Sequence, residues 1–300
     1  MMKETLEVIE LADGRTLSYA IHGDPNGEAV FVHHGTPSSA MHIAPSVAAS
    51  ASRHVLKLIT IDRAGYGGST RDQGRKVVSV VDDVIALSDA MGIDVFGTWG
   101  ISGGGPHALA TAARAGDRVV AVATYSAVAP FDAEGLDFLA GMGEDNLEEF
   151  GLAVADHDGL ARFLAKGREE MLRLDAEQWA ESARSLICDA DFAAIKGEAG
   201  VALIEASRHG LSDSVDGWFD DDLAFVAPWG FDLSEVTVPA LIVHGSDDRM
   251  VPVSHFHFLS GKLGHAQTRL LEGEGHLSVV DRTMDEVHGF LAEAIRRTRA

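Results

Sequence analysis

Apolar and polar positions follow two different periods along this 300-residue chain. Residues 6–21 alternate and break at Asp13-Gly14, which predicts two strands joined by a hairpin turn. Short unbroken apolar runs follow at 29–33, at 55–61, in a run led by Val95 and Phe96, at 119–128 and at 240–244. Runs of that length without alternation read as strands buried on both faces. Residues 77–91 and 107–115 carry helical spacing, and in the first of these Asp82, Asp83 and Ser88 are expected to face outward. A helix at 253–263, a strand at 268–271 and an amphipathic helix at 279–297 complete the pattern. Strands that alternate with helices in this order predict an α/β architecture, a mostly parallel sheet covered by helices.

The alternation stops between Phe131 and Asp232. Helical spacing appears there at 147–155, 160–174, 176–187 and 192–208, with no convincing strand. The reading is a sheet core built from residues 1–130 and 233–300, with a helical subdomain at 131–232. That interval holds 24 Asp and Glu against 7 Lys and Arg, so it carries most of the net charge of −22. A chain this acidic is a poor partner for nucleic acid or an anionic membrane surface. No apolar run is long enough to span a bilayer, and residues 1–5 lack the apolar core of a secretion signal. The single cysteine, Cys188, has no partner for an internal disulfide and reads as a small core residue. These features together lead to the expectation of a cytoplasmic protein.

Candidate chemistry concentrates where strands end in glycine. Gly100-Ile101-Ser102-Gly103-Gly104 places a serine between a buried strand and an Ala/Leu-rich helix whose first turn contains Pro106. This is the G-x-S-x-G pattern of a nucleophile elbow, in which the serine backbone is forced into a conformation a Cβ makes costly. A serine hydroxyl needs a base within hydrogen-bond reach and a carboxylate to orient that base. Asp247 and Asp248 follow the strand at 240–244, and Gly275-His276 follows the last strand. Both lie where parallel sheets gather reactive groups. The glycine-rich loop at 62–69 lacks the G-K-[ST] of a phosphate-binding loop, and no G-x-G-x-x-G opens a helix.

With these motifs in this order, and with a His34-Gly35-Thr36-Pro37 turn ahead of them, nearly the whole chain resembles the α/β-hydrolase fold superfamily. The resemblance implies an eight-stranded, mostly parallel sheet with a helical cap inserted after strand 6. It further implies Ser102 as nucleophile, His276 as base and Asp248 as orienting acid. Asp248 is preferred to Asp247 because the family usually places the acid third after the loop glycine, and Asp132 stands in reserve. The backbone N–H groups of Thr36 and Gly103 are the implied oxyanion donors, and the Thr36 side chain is a candidate substrate contact.

A serine at the elbow disfavours the dehalogenase and epoxide-hydrolase branches, which attack with aspartate there. The implied activity is hydrolysis of a small to medium carboxylic ester or lactone through an acyl-enzyme. Two alternatives stay open: a proline iminopeptidase-like aminopeptidase acting on peptides, with the acidic cap holding the substrate ammonium, and a non-catalytic ligand-binding or signalling protein. No cofactor is expected, and with no Cys/His cluster among the 14 histidines no metal is expected either. His34 is expected to hold the oxyanion turn, and His255 and His257, two apart on a helix, face different ways. His22, His42 and His54 read as surface or packing residues, Trp99 as core filler, and Asp62-Arg63 as a salt-bridged corner. Phe131, Phe138, Met142, Phe163, Trp179, Trp218 and Trp229 are candidates for the inner face of the cap. Activity is expected to fail as His276 is protonated, near the ordinary imidazole value of about 6.5.

Overall fold

The computed structural model describes residues 5–41 and 43–299, so His42 lies outside the described residues. Strands β1 (Glu7–Glu10), β2 (Thr16–Gly23), β3 (Glu28–His33), β4 (Leu56–Ile61), β5 (Phe96–Ile101), β6 (Val119–Tyr125), β7 (Ala240–Gly245) and β8 (Gln267–Leu271) form one sheet in the order β1-β2-β4-β3-β5-β6-β7-β8. β1 and β2 are antiparallel, β2 runs antiparallel to β4, and every pairing from β4 to β8 is parallel. The expected α/β architecture with an eight-stranded, mostly parallel sheet is therefore present. The unbroken apolar runs occupy its centre, where β7 is buried along its whole length, whereas the more polar β8 forms an exposed edge.

Each face of the sheet owns a core. On one side α2 (Val80–Ala90), α3 (Gly104–Arg114) and α10 (Val253–Lys262) pack through residues such as Val84, Leu109 and Leu259. On the other, α1 (Pro45–Arg53) and α11 (Ser278–Arg299) contribute Val47, Ala51, Val287, Leu291 and Ile295. In α11 the buried positions recur every three or four residues, the spacing that lines one helical face. Each fully buried Leu or Ile there is worth roughly 1.5–3 kcal/mol against exposure.

Between β6 and β7 the chain forms α4 (Glu144–Ala155), α5 (His157–Arg173), α6 (Ala176–Ser182), α7 (Asp189–Ile195), α8 (Glu198–Gly210) and α9 (Asp216–Val226). The helix expected at 192–208 is two helices. A Cβ at Gly200 would meet the Ile195 carbonyl oxygen at 1.8 Å, an approach only glycine permits, and the chain folds back on itself there. Helix α9 was not expected, because its acidic run Asp220-Asp221-Asp222 disguises an apolar stripe. Phe131, Phe138, Met142 and Trp229, considered for the inner face of the insertion, pack instead with the main sheet core.

Two further expectations fail locally. Asp82 is exposed as expected, but Asp83 is buried against Arg15 at 2.7 Å, and Ser88 is buried and donates to the Ile85 carbonyl at 2.8 Å. Periodicity alone does not reveal that the β1–β2 hairpin covers this side of α2. The strand expected to reach residue 128 stops at Tyr125, because Ser126 has φ 45° and leaves extended geometry. Among the described residues, no helix is long and apolar enough to cross a membrane.

Candidate active site

The chain turns sharply after β5. Ser102 has φ 54°, and its N–H donates to the Tyr125 carbonyl at 2.8 Å while its own carbonyl accepts from Gly105 N at 2.9 Å. The flanking glycines are required by contact. A Cβ on Gly100 would sit 2.1 Å from the Gly104 carbonyl oxygen, and one on Gly104 would sit 2.1 Å from that of His33. Such strain at a serine persists only where the surroundings over-determine it, as they do at reactive sites.

Opposite this turn, His276 Nδ1 lies 2.8 Å from Asp248 Oδ2. The other oxygen of Asp248 accepts from the N–H groups of Met250 (2.9 Å) and Val251 (2.8 Å), so the carboxylate is locked by its own loop. Burial works against the charge of Asp248, but the His276 imidazole outweighs it and holds the carboxyl below its ordinary range. Burial likewise opposes protonation of His276, yet Asp248, joined by Asp191, raises the imidazole above its ordinary 6.5. The expectation of an unperturbed value is corrected upward by this pairing. Asp247 is exposed and accepts from Ser246 Oγ at 2.8 Å, and Asp132 is exposed, so neither rival aspartate engages His276.

Ser102, His276, Thr36 and Gly103 all line one cavity of about 510 Å³ between the sheet edge and the helical insertion. Among the described residues, the N–H groups of Thr36 and Gly103 have no acceptor. The Thr36 hydroxyl is engaged within the protein: it donates to Asp221 Oδ2 at 2.7 Å and accepts from Arg63 Nη2 at 3.0 Å. His34 is buried as expected, with Nδ1 donating to the Gly35 carbonyl at 2.7 Å and Nε2 accepting from Arg63 N at 3.3 Å. Burial and the adjacent Arg63 push it down to about 3, so it stays neutral and braces the turn.

The Asp62-Arg63 corner is salt-bridged as expected, through partners elsewhere in the chain. Asp62 accepts from Ser18 Oγ and from the N–H groups of Ala40 and Gly68, whereas Arg63 reaches across to Asp221 of α9 at 2.5 Å. Asp221 also binds Arg75 at 2.7 Å and accepts from Tyr66 Oη at 2.9 Å. Burial disfavours its charge, but the two guanidiniums hold it well below the carboxylate range. Asp191 of α7 accepts three backbone N–H groups, those of His276 (2.9 Å), Leu277 (2.8 Å) and Ser278 (2.9 Å). A carboxylate from the insertion thus holds the loop that carries the imidazole and caps the start of α11. Neither Asp191 nor Asp221 carries a motif; long-range contact alone distinguishes them from the other acids of the insertion.

The remaining candidates fall into place around the site. Phe163, Trp179 and Trp218 line the cavity. His22 is buried and bonded to the Ala40 carbonyl and Thr60, His54 pairs with Asp285 at 3.2 Å, and His255 bridges Ala129 N and the Phe138 carbonyl. His257 is exposed, Trp99 packs edge-on to Tyr125, and Cys188 is buried. Among the described residues no group of three or more His, Cys, Asp or Glu is placed to hold a metal ion.

A serine on a strained strand–helix turn, a carboxylate–imidazole pair and two unengaged N–H groups at the end of a parallel sheet define the architecture of a hydrolase-type site. The chain belongs to the alpha/beta hydrolase fold family, whose model matches residues 28–283. It is 26% identical over 283 residues to the uncharacterized hydrolase YcgS of Bacillus subtilis, covering 92% of this chain and 93% of that one. It is 27% identical over 273 residues to a non-heme chloroperoxidase of Streptomyces lividans, covering 89% and 92%. Among solved structures, the esterase RhEst1 of Rhodococcus sp. ECU1013 superposes with a TM-score of 0.68 at 21% identity, over 98% of this chain and all of the other.

Proposed function

We propose that the protein is a serine hydrolase that cleaves a small to medium carboxylic ester or lactone, with residues 131–232 acting as a cap over the site. The observation that carries this reading is the Asp248–His276 pair at 2.8 Å, whose imidazole lines the same cavity as a serine held at φ 54°. In the proposed cycle His276 Nε2 takes the Ser102 proton as Oγ attacks the ester carbonyl. The oxyanion forms against the Thr36 and Gly103 N–H groups, and His276 returns the proton to the departing alkoxide. Water, activated by the same imidazole, then releases the acid. Asp248 keeps the Nδ1–H tautomer throughout and stabilises the imidazolium. A second, largely apolar cavity of about 160 Å³ adjoins the first through Gly35, Ile101 and Leu277, and offers room for an acyl chain.

The test is a series of p-nitrophenyl esters of graded acyl length with wild type and Ser102→Ala. The expected result is turnover by wild type and a loss of at least about 10³-fold in the variant, with unchanged circular dichroism. A variant that retains comparable turnover rules out Ser102 as nucleophile.

A further inference from the structure

The wall of the cavity facing Ser102 contains two carboxyl groups that the proposed hydrolytic cycle does not use. Glu149 of α4 and Asp222 of α9 both line it, and their carboxyls are in hydrogen-bonding contact with each other. Glu149 Oε1 also accepts from Trp218 Nε1 at 2.7 Å, which fixes it on the wall. Asp222 is 1% exposed, and its Oδ2 accepts from no donor among the described residues. A buried carboxylate oxygen with no donor carries an uncompensated desolvation cost that a bound donor would relieve.

The arginines that approach this region are already engaged. Arg63 and Arg75 close on Asp221, and Arg71 closes on Asp216 and Asp220. Lys166, also on the cavity wall, is exposed and forms no ion pair among the described residues, while Asp145 and Glu170 add further negative charge. Burial, with the Asp145 charge, holds a proton on Glu149 up to about 7 against the opposing hydrogen bonds of Trp218 and Asp222, and burial with Glu149 beside it drives Asp222 well above the carboxylate range. Two carboxyls in contact either share a proton or share a cation. With no third His, Cys, Asp or Glu grouped with them to complete a metal shell, and with the Trp218 ring alongside, an organic ammonium fits this wall better than a metal ion.

We propose that Glu149 and Asp222 form a subsite for a cationic amino group, so that the preferred substrates are esters bearing an ammonium remote from the scissile carbonyl. This rests on the serine-hydrolase reading for turnover but not for binding. When the ammonium docks, the proton shared by the carboxyls leaves to solvent and the cation takes its place.

The experiment uses esters of matched shape: choline butyrate beside 3,3-dimethylbutyl butyrate, and p-nitrophenyl 6-aminohexanoate beside p-nitrophenyl heptanoate. The ratio of kcat/KM within each pair is measured at 0.1 M and 0.5 M salt, because general attraction to an acidic protein is screened whereas a buried contact is not. The expected result is a preference of about tenfold or more for the cationic member of at least one pair at both salt concentrations, falling to near unity in Glu149→Gln/Asp222→Asn. Glu149→Gln alone, which keeps an acceptor for Trp218, serves if the double variant does not fold, and a smaller fall is expected of it. The same ligands are titrated calorimetrically into Ser102→Ala. If wild type hydrolyses none of the esters, the hydrolase reading fails, and binding still decides the subsite. Equal affinity within both pairs, a preference that vanishes at high salt, or one that survives the substitutions overturns the proposal.

Discussion

The sheet core and the helical insertion treat their carboxylates in opposite ways around the site. On the sheet side Asp248 has a partner for both oxygens, from His276 and from two N–H groups of its own loop. On the insertion side three consecutive aspartates meet three fates. Asp220 takes Arg71, Asp221 takes Arg63 and Arg75, and Asp222 takes no cation at all. The neighbours Asp221 and Asp222 are both buried, yet one is held far below the ordinary carboxylate range and the other far above it. Burial is common to the pair, so the counter-ion decides the sign. Among these acids, Asp248 and Asp221, which have partners, orient or build the site, whereas Asp222, which has no cation, is where the proposed ammonium would bind.

That contrast is tested most severely by Asp248→Asn. The wrong imidazole tautomer is expected to reduce kcat for p-nitrophenyl esters by about 10³- to 10⁴-fold, with Asp247→Asn nearly silent. Comparable losses in both would place the acid elsewhere. Asp221→Ala leaves two guanidiniums buried without their carboxylate and is expected to cost about 3–5 kcal/mol of stability in urea unfolding. A loss below about 1 kcal/mol would mean that the arginines are not held by Asp221.

Asp191→Asn is expected to lower kcat/KM about tenfold and, more tellingly, to move its acid limb to lower pH. His276 must be neutral to act as base, so activity falls as pH drops through its value. That value is raised above 6.5 partly by the Asp191 charge, which the substitution removes. A limb that stays in place would reduce Asp191 to a structural tie.

The smallest effect is on thermal stability. Glu149 holds its proton more tightly folded than unfolded, so its contribution is full below about 4.5 and is lost as pH rises to about 7. Of the groups around it, Asp145 reinforces that sign, whereas the hydrogen bonds of Trp218 and Asp222 oppose it without reversing it. Wild type is expected to lose a few degrees of melting temperature between pH 5 and 7.5 on this account, and Glu149→Gln to show a shallower slope in the same scan. Identical slopes would remove Glu149 from the pH response.

Much of the site was legible locally. Gly100, Ser102 and Gly104 sit within five residues because one turn needs all three, and Asp248 and Gly275-His276 each follow their strand directly. The expected strands and most helices appeared because buried strands and amphipathic faces impose short periods that survive in a linear reading. The rest was not legible locally. Asp83 is buried against Arg15, and the partners of the Thr36 hydroxyl and of the Asp62-Arg63 corner likewise come from elements remote in the chain. For Thr36 and Arg63 the deciding residue, Asp221, lies more than 150 positions away.

The amino-acid order by itself determined the α/β alternation, the interruption after β6 and the succession of serine, aspartate and histidine at strand ends, since each depends on neighbours within a few residues. Only the tertiary structure decided which acids of the insertion became tie, counter-ion or open subsite. Asp191, Asp221 and Asp222 are the same letter, and what separates them is the set of donors that folding brings within 3 Å and the solvent it takes away.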